Sequence, residues 1–277
     1  MKKISYVFVL LLGVTLMQSC VKDPIVDTQE GVAPKLPPQE TFVMPFNGFE
    51  SADTTKLSGG RRGPRNVPTY FNWFYSVSNV VVWNTVVGLN MVIPIASFGE
   101  AFNHDPVYQG NGIWLWSYSY TLDGKTYEAE LTGAIINESE TKWDMNIAQV
   151  GGFSKVHWYS GIIANDGSKA QWTVNHQPNN PRPYLSIDFT RGASEDEGTL
   201  RYTNIIPGDQ GNGDYIEFSV EEGGPYNRTY QVFDASKSNL LQIEWHEPNK
   251  NGRVKNPHQF EDDNWRCWNE NFADTDC

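Results

Sequence analysis

The strongest constraint in this sequence is a change of hydrophobic period: from Ile113 onward apolar and polar residues alternate, with turn signals between the alternating runs. A period of two sends successive side chains to opposite sides of the backbone, so each run buries one face and reads as a strand of a half-buried sheet. About ten runs are centred on Trp116, Ala129, Met145, Trp158, Trp172, Ile187, Tyr202, Phe218, Tyr230 and Ile243. Asp123-Gly124, Gly151-Gly152, Asp166-Gly167, Pro178 to Pro183, Gly211 to Gly213 and Gly223-Gly224 punctuate them, and short connections of this kind join antiparallel neighbours.

Asp123-Gly124 is a two-residue hairpin signal, because both central positions of such a turn need positive φ, and it therefore fixes a register. Tyr120 should face Tyr127, Tyr118 face Ala129, Trp116 face Leu131 and Trp114 face Gly133. Ser119 and Ser117 should meet Glu128 and Glu130 on the other side. Both strands thus agree on which face is apolar, and the row of aromatics points inward.

Before the strands, no charged residue occurs from Asn66 to Gly99, and the stretch from Tyr70 to Ile93 suits a helix. Its polar positions Asn72, Ser76, Asn79 and Asn90 fall on one narrow strip, and the rest is apolar nearly all round. Such a helix is enclosed by protein or inserted in lipid. The asparagines, Gly88 and Pro94 favour enclosure, with Pro94 kinking or ending the helix. Helix first and strands afterwards gives α+β, mainly β: a curled sheet or barrel packed around an N-terminal apolar helix.

If the loops stay in phase, one row runs through Trp114, Gly133, Trp143, Ser160 and Trp172, with Trp116 beside it. Alternating large and small side chains fill a layer well. They could also leave an aromatic slot for a flat or acyl ligand, so these six residues are the candidate ligand-binding set.

The polar face carries Glu128, Glu130, Asp144, Asp188, Glu217 and Glu244, and two opposed carboxylates could serve glycan hydrolysis. No nucleophile elbow, phosphate loop, HExxH or calcium loop is present, and no catalytic residue or cofactor is assigned. His104, His157, His176, His246 and His258 are scattered without metal-ligand spacing, so no metal is assigned either.

The amino terminus carries an address. Lys2-Lys3, the apolar run Val7 to Met17 and Ser19 before Cys20 form a secretory signal. Met17-Gln18-Ser19-Cys20 resembles the cleavage and acylation site of bacterial envelope lipoproteins, which implies a lipid, such as palmitate, on Cys20 and an outer-membrane location. Lys22-Asp23 resembles the surface-directing signal of some bacterial lipoproteins, and Asp53-Thr54-Thr55 an O-glycosylation site of some envelope bacteria. Residues 20–66 contain Pro24, Pro34, Pro37, Pro38, Pro45 and Pro64 and read as an extended tether.

Removing Lys2 and Lys3 leaves 19 basic against 33 acidic side chains, a balance that disfavours nucleic acid as a partner. Acylation of Cys20 would leave Cys267 and Cys277 as a pair, read as a structural disulfide in an oxidising compartment; two free thiols or a metal pair are the alternatives. Trp265-Arg266-Cys267-Trp268 is expected to plug the sheet around that bridge.

The expected organisation is a signal peptide over residues 1–19, a tether over 20–66 and one globular domain over 67–277. Within that domain a helix spans about 70–93, strands about 113–247, and a disulfide loop 248–277. The expected function is that of a noncatalytic lipid-anchored envelope protein binding a hydrophobic molecule or lipid inside the sheet, an outline similar to lipocalin-like and lipoprotein-carrier folds. The alternatives are an interaction module of a surface assembly without a pocket, and a glycan hydrolase.

Overall fold

A computed structural model describes residues 31–46, 68–176, 178–194 and 196–277. The acylation motif and Asp53-Thr54-Thr55 lie outside the described residues.

The body is one antiparallel meander in which every strand pairs with its sequence neighbours. It comprises β1 (Val107–Gly110), β2 (Ile113–Leu122), β3 (Lys125–Ile135), β4 (Glu140–Gln149), β5 (Val156–Ala164), β6 (Lys169–His176) and β7 (Arg182–Arg191). It continues through β8 (Gly198–Asn204), β9 (Tyr215–Val220), β10 (Arg228–Asp234), β11 (Asn239–Trp245), β12 (Gly252–Lys255), β13 (Arg266–Trp268) and β14 (Asp274–Thr275). The ten runs of the sequence are β2 to β11. The four further strands are two to four residues long, too short for alternation to register. β1 and β14 do not pair, so the sheet curls without closing.

The β2–β3 hairpin has the register that Asp123-Gly124 dictates, from Tyr120 opposite Tyr127 to Trp114 opposite Gly133, with φ of 49° at Asp123 and 73° at Gly124. The phase breaks in β5. Met145 pairs with Tyr159 but Asn146 pairs with His157, so Trp158 is the extra residue of a β-bulge, and both Trp158 and Tyr159 face inward. Beyond the bulge, Gly161 stands opposite Trp143 and Trp172, while Ser160 moves to the other face between Asp144 and Thr173. A second bulge in β7 turns Tyr184 inward beside Leu185.

Helix α1 spans Phe71–Glu100 and passes through Pro94, seven residues further than the expected end at residue 93. It bridges the two ends of the sheet, touching β2 and β12 to β14. Its inward stripe is Trp73, Val77, Val80, Val87, Met91, Pro94 and Phe98, at the three-to-four spacing of a helix face. Tyrosines bind this helix through its carbonyls: Tyr118 donates to Ser97 O, Tyr120 to Ile93 O and Tyr184 to Val86 O.

The helix is enclosed on one side only. Asn72 and Ser76, half of the expected polar strip, are buried: Asn72 Nδ2 donates to Cys267 O at 2.9 Å and Ser76 Oγ to Asn72 O at 2.8 Å. Apolar residues occupy the opposite, solvent-facing side.

The segment 31–46, expected to be part of the tether, belongs to the folded body. Phe42 is completely buried in a box of Phe98, Tyr159 and Trp172 rings, with centroids 4.8–5.2 Å away for the last two. Tyr202 OH accepts from Met44 N–H at 2.8 Å and donates to Phe42 O at 2.7 Å, and Tyr230 OH donates to Pro45 O at 2.7 Å. Buried backbone groups need such partners. The strap lacks a strand neighbour, and the tyrosines supply them.

Candidate functional site

The structure brings most members of the candidate row together on the inner face and closes the spaces between them. Trp114, Trp116, Trp143 and Trp172 are all buried on the inner face. At Gly133 a Cβ would meet the Trp143 ring at 3.0 Å and Pro34 of the strap at 3.2 Å. At Gly161, the true small residue between Trp143 and Trp172, a Cβ would overlap the Trp172 ring. Each gap left by a glycine is therefore covered by a neighbouring indole. Ser160 is not part of the row, because the bulge at Trp158 shifts the phase.

Among the described residues, four buried donors on the inner face have no hydrogen-bond partner: Trp114 Nε1, Trp158 Nε1, Tyr159 OH and Trp172 Nε1. The last two flank Phe42. Burial pushes the phenols of Tyr159, Tyr118 and Tyr202 upward from their ordinary value, so the interior holds them neutral. No charged side chain is buried among the described residues.

The outer-face carboxylates are mostly matched with cations or amides. Glu130 meets Lys155, Glu217 meets Arg201 at 2.7 Å, and Glu244 meets Arg253 at 2.6 Å. Asp188 accepts from Gln171 at 3.0 Å and Ser186 at 3.0 Å, and Glu128 is exposed. Asp144 lies 2.9 Å from Lys142 and 3.2 Å from His157. Desolvation pushes its carboxyl upward, but His157 and Lys142 outweigh it and hold the group below the usual range. A general acid for glycan cleavage needs the opposite shift.

The described residues contain no group of three or more His, Cys, Asp or Glu placed to hold a metal. Cys267 and Cys277 stand at disulfide distance with Cα atoms 5.2 Å apart. Trp268, next to Cys267, is buried over Gly252 of β12 and donates to Lys250 O at 2.8 Å, whereas Trp265 lies on the outer face and stacks with Arg253 at 4.1 Å. Open clefts among the described residues flank the strap and α1. One of about 480 Å³ lies beside the strap between Pro34, Leu36, Ile135 and Ile163. Another of about 410 Å³ lies between Tyr75 and Trp83 of α1 and the β10–β11 turn, rimmed by Asn239 and Asn256.

Two features are hard to read from the sequence. The strap's buried Phe42, Met44 and Phe46 alternate with Val43 and Pro45, a period of two that lasts only five residues inside a proline-rich segment. The outward side of α1 is as apolar as its inward side, so composition alone gives no face. Comparison with protein-family models, with curated proteins and with solved structures found no match.

Proposed function

We propose that this chain is a noncatalytic envelope protein, anchored by lipid on Cys20, that works as an interaction module through its outer surface and not as a hydrolase. One observation carries the reading: the inner face is filled by its own indoles and by Phe42, while the outer carboxylates are matched with cations or amides. A filled interior specifies a rigid body and leaves recognition to the surface.

A second reading, the carrier of a hydrophobic molecule, is favoured by Trp172 Nε1 and Tyr159 OH beside Phe42, which have no acceptor among the described residues. Displacing the strap would offer both donors to a ligand carbonyl or carboxylate.

Mass spectrometry of the native, detergent-extracted protein separates the two. The module predicts an acyl mass on the Cys20 peptide, no stoichiometric ligand, and tryptophan fluorescence indifferent to added oleate. A retained lipid, or an oleate response lost in Trp172→Phe, would replace the module with the carrier. An unmodified Cys20 would remove the anchor.

A further inference from the structure

The side of α1 turned away from the sheet is a mainly apolar strip, interrupted only by uncharged polar side chains such as Ser78 and Thr85. Phe71, Phe74, Val82, Val86, Leu89 and Val92 recur at helical spacing and are exposed, with Leu89 at 78% and Val82 at 60% of full accessibility. Over this interval the strip is about 30 Å long, at 1.5 Å per residue. A soluble surface rarely carries so extended an apolar patch without something to cover it.

The chemistry of the strip selects its occupant. Hydroxyls and amides that would otherwise require water or a polar partner are satisfied within the helix. Ser78 Oγ donates to Phe74 O at 2.7 Å, Thr85 Oγ1 to Val81 O at 2.9 Å, and Asn90 Nδ2 to Val86 O at 3.2 Å. Such back-bonding lets a polar residue face an apolar medium. No charged residue occurs from Asn66 to Gly99. A protein interface ordinarily has a polar rim with charged groups around its apolar centre, and α1 supplies only uncharged hydroxyls and amides beside the strip up to Gly99.

The chain's own remaining segments are poor candidates, since residues 21–30 and 47–66 are rich in charged and polar side chains. Cys20 precedes the first described residue by about eleven positions, a reach of roughly 36–40 Å when extended. That exceeds the length of the longest strands, about 36 Å for eleven residues at ~3.3 Å each, at the upper end of the range. One bilayer can therefore hold the acyl chains and lie against α1.

The geometry points to a lipid-docking face: we propose that Phe71, Phe74, Val82, Val86, Leu89 and Val92 lay α1 flat on the bilayer that anchors Cys20. The anchoring part rests on the lipoprotein reading above; the docking part does not. The sheet covers the other side of the helix along its length, so α1 lies in the interface plane and does not cross.

The test is vesicle flotation of the mature chain from residue 20, acylated or with Cys20→Ala, using phosphatidylcholine vesicles. The unacylated chain is expected to float, and Val82→Asp/Leu89→Asp in that background is expected to lower its partitioning at least tenfold. Both positions are exposed, and an unchanged melting curve verifies that the variant folds. An unacylated chain that stays with the solvent while the acylated one floats overturns docking and leaves the anchor intact. Flotation of the unacylated chain that α1 substitutions do not change also overturns it. A dimer in light scattering that the double variant dissolves, with no flotation, assigns the strip to a second copy instead. An unmodified native Cys20 together with α1-dependent flotation removes the anchor and keeps the docking face.

Discussion

The phenolic oxygen of Tyr202 closes two hydrogen bonds with one stretch of backbone, donating to Phe42 O at 2.7 Å while accepting from Met44 N–H two residues on. A strand neighbour would satisfy the strap in the same alternating way. Here a side chain from the sheet does so, and the strap is held in the interior without adding a strand.

Tyr202→Phe removes both bonds and keeps the ring. The strap then retains a buried carbonyl and amide with no replacement, which is expected to cost about 1–3 kcal/mol in urea unfolding. The expected signature is a lower midpoint at an unchanged slope, since the surface exposed on unfolding is the same. A midpoint equal to that of the parent chain would mean that the two Tyr202 hydrogen bonds contribute nothing to the fold.

The bulge at Trp158 makes adjacent residues respond oppositely. Gly161→Ala places a methyl against the Trp172 ring and is expected to destabilise by about 1–3 kcal/mol, with altered near-ultraviolet circular dichroism from the displaced indole. Ser160→Ala, on the other face, is expected to stay within about 0.5 kcal/mol of the parent. The reverse order would restore the unbulged register.

That contrast marks where sequence reading succeeds. Asp123-Gly124 pins β2 to β3 because its turn geometry admits one pairing, and the inward row follows as far as Trp143. Periodicity then misplaces the β5 member, since a bulge inserts one residue without altering composition. Trp158 is as apolar as an inward residue should be, and it is inward; the alternation simply restarts after it. The strap is obscured for another reason. Phe42, Met44 and Phe46 alternate over only five residues, and Pro37, Pro38 and Pro45 give the segment the composition of a linker, while its burial rests on long-range contacts with Tyr202 and Tyr230. For α1 the pattern shows an apolar helix correctly, but with both sides apolar it cannot indicate which one meets the sheet.

Alkaline pH should unfold the protein through its interior tyrosines. Burial raises the phenols of Tyr118, Tyr120, Tyr159 and Tyr202 above the ordinary value near 10. Their contribution is complete below that value; above about pH 10 the unfolded chain ionises while the folded one does not, and stability falls. Phenolate absorbance should rise in one cooperative step that coincides with loss of circular dichroism. Smooth titration of all tyrosines in the folded state would contradict this burial. Asp144 acts in the other direction: its depressed carboxyl stabilises the fold above the usual carboxylate range near 4, and that contribution is lost as acidification passes through its folded value.

The amino end of α1 is capped from the far end of the chain. Tyr70 at the cap position provides no side-chain bond, and Asp274 on β14 accepts instead from Phe71 N–H at 3.1 Å and Asn72 N–H at 2.9 Å. Its carboxylate also faces the positive end of the helix dipole. Asp274 lies between Cys267 and Cys277, which stand at disulfide distance, so a bridge between them would hold the cap in place. Asp274→Ala is expected to cost about 1 kcal/mol, a typical capping loss. Cys277→Ser is expected to cost roughly 2–3 kcal/mol in the chain-entropy model. Because the second change loosens the residue removed by the first, the double variant should lose less than the sum. Hydrogen exchange at the first turn of α1 should accelerate in each single variant. Protection there that survives Asp274→Ala would show that the helix start is held by Trp73 and Tyr75 packing alone.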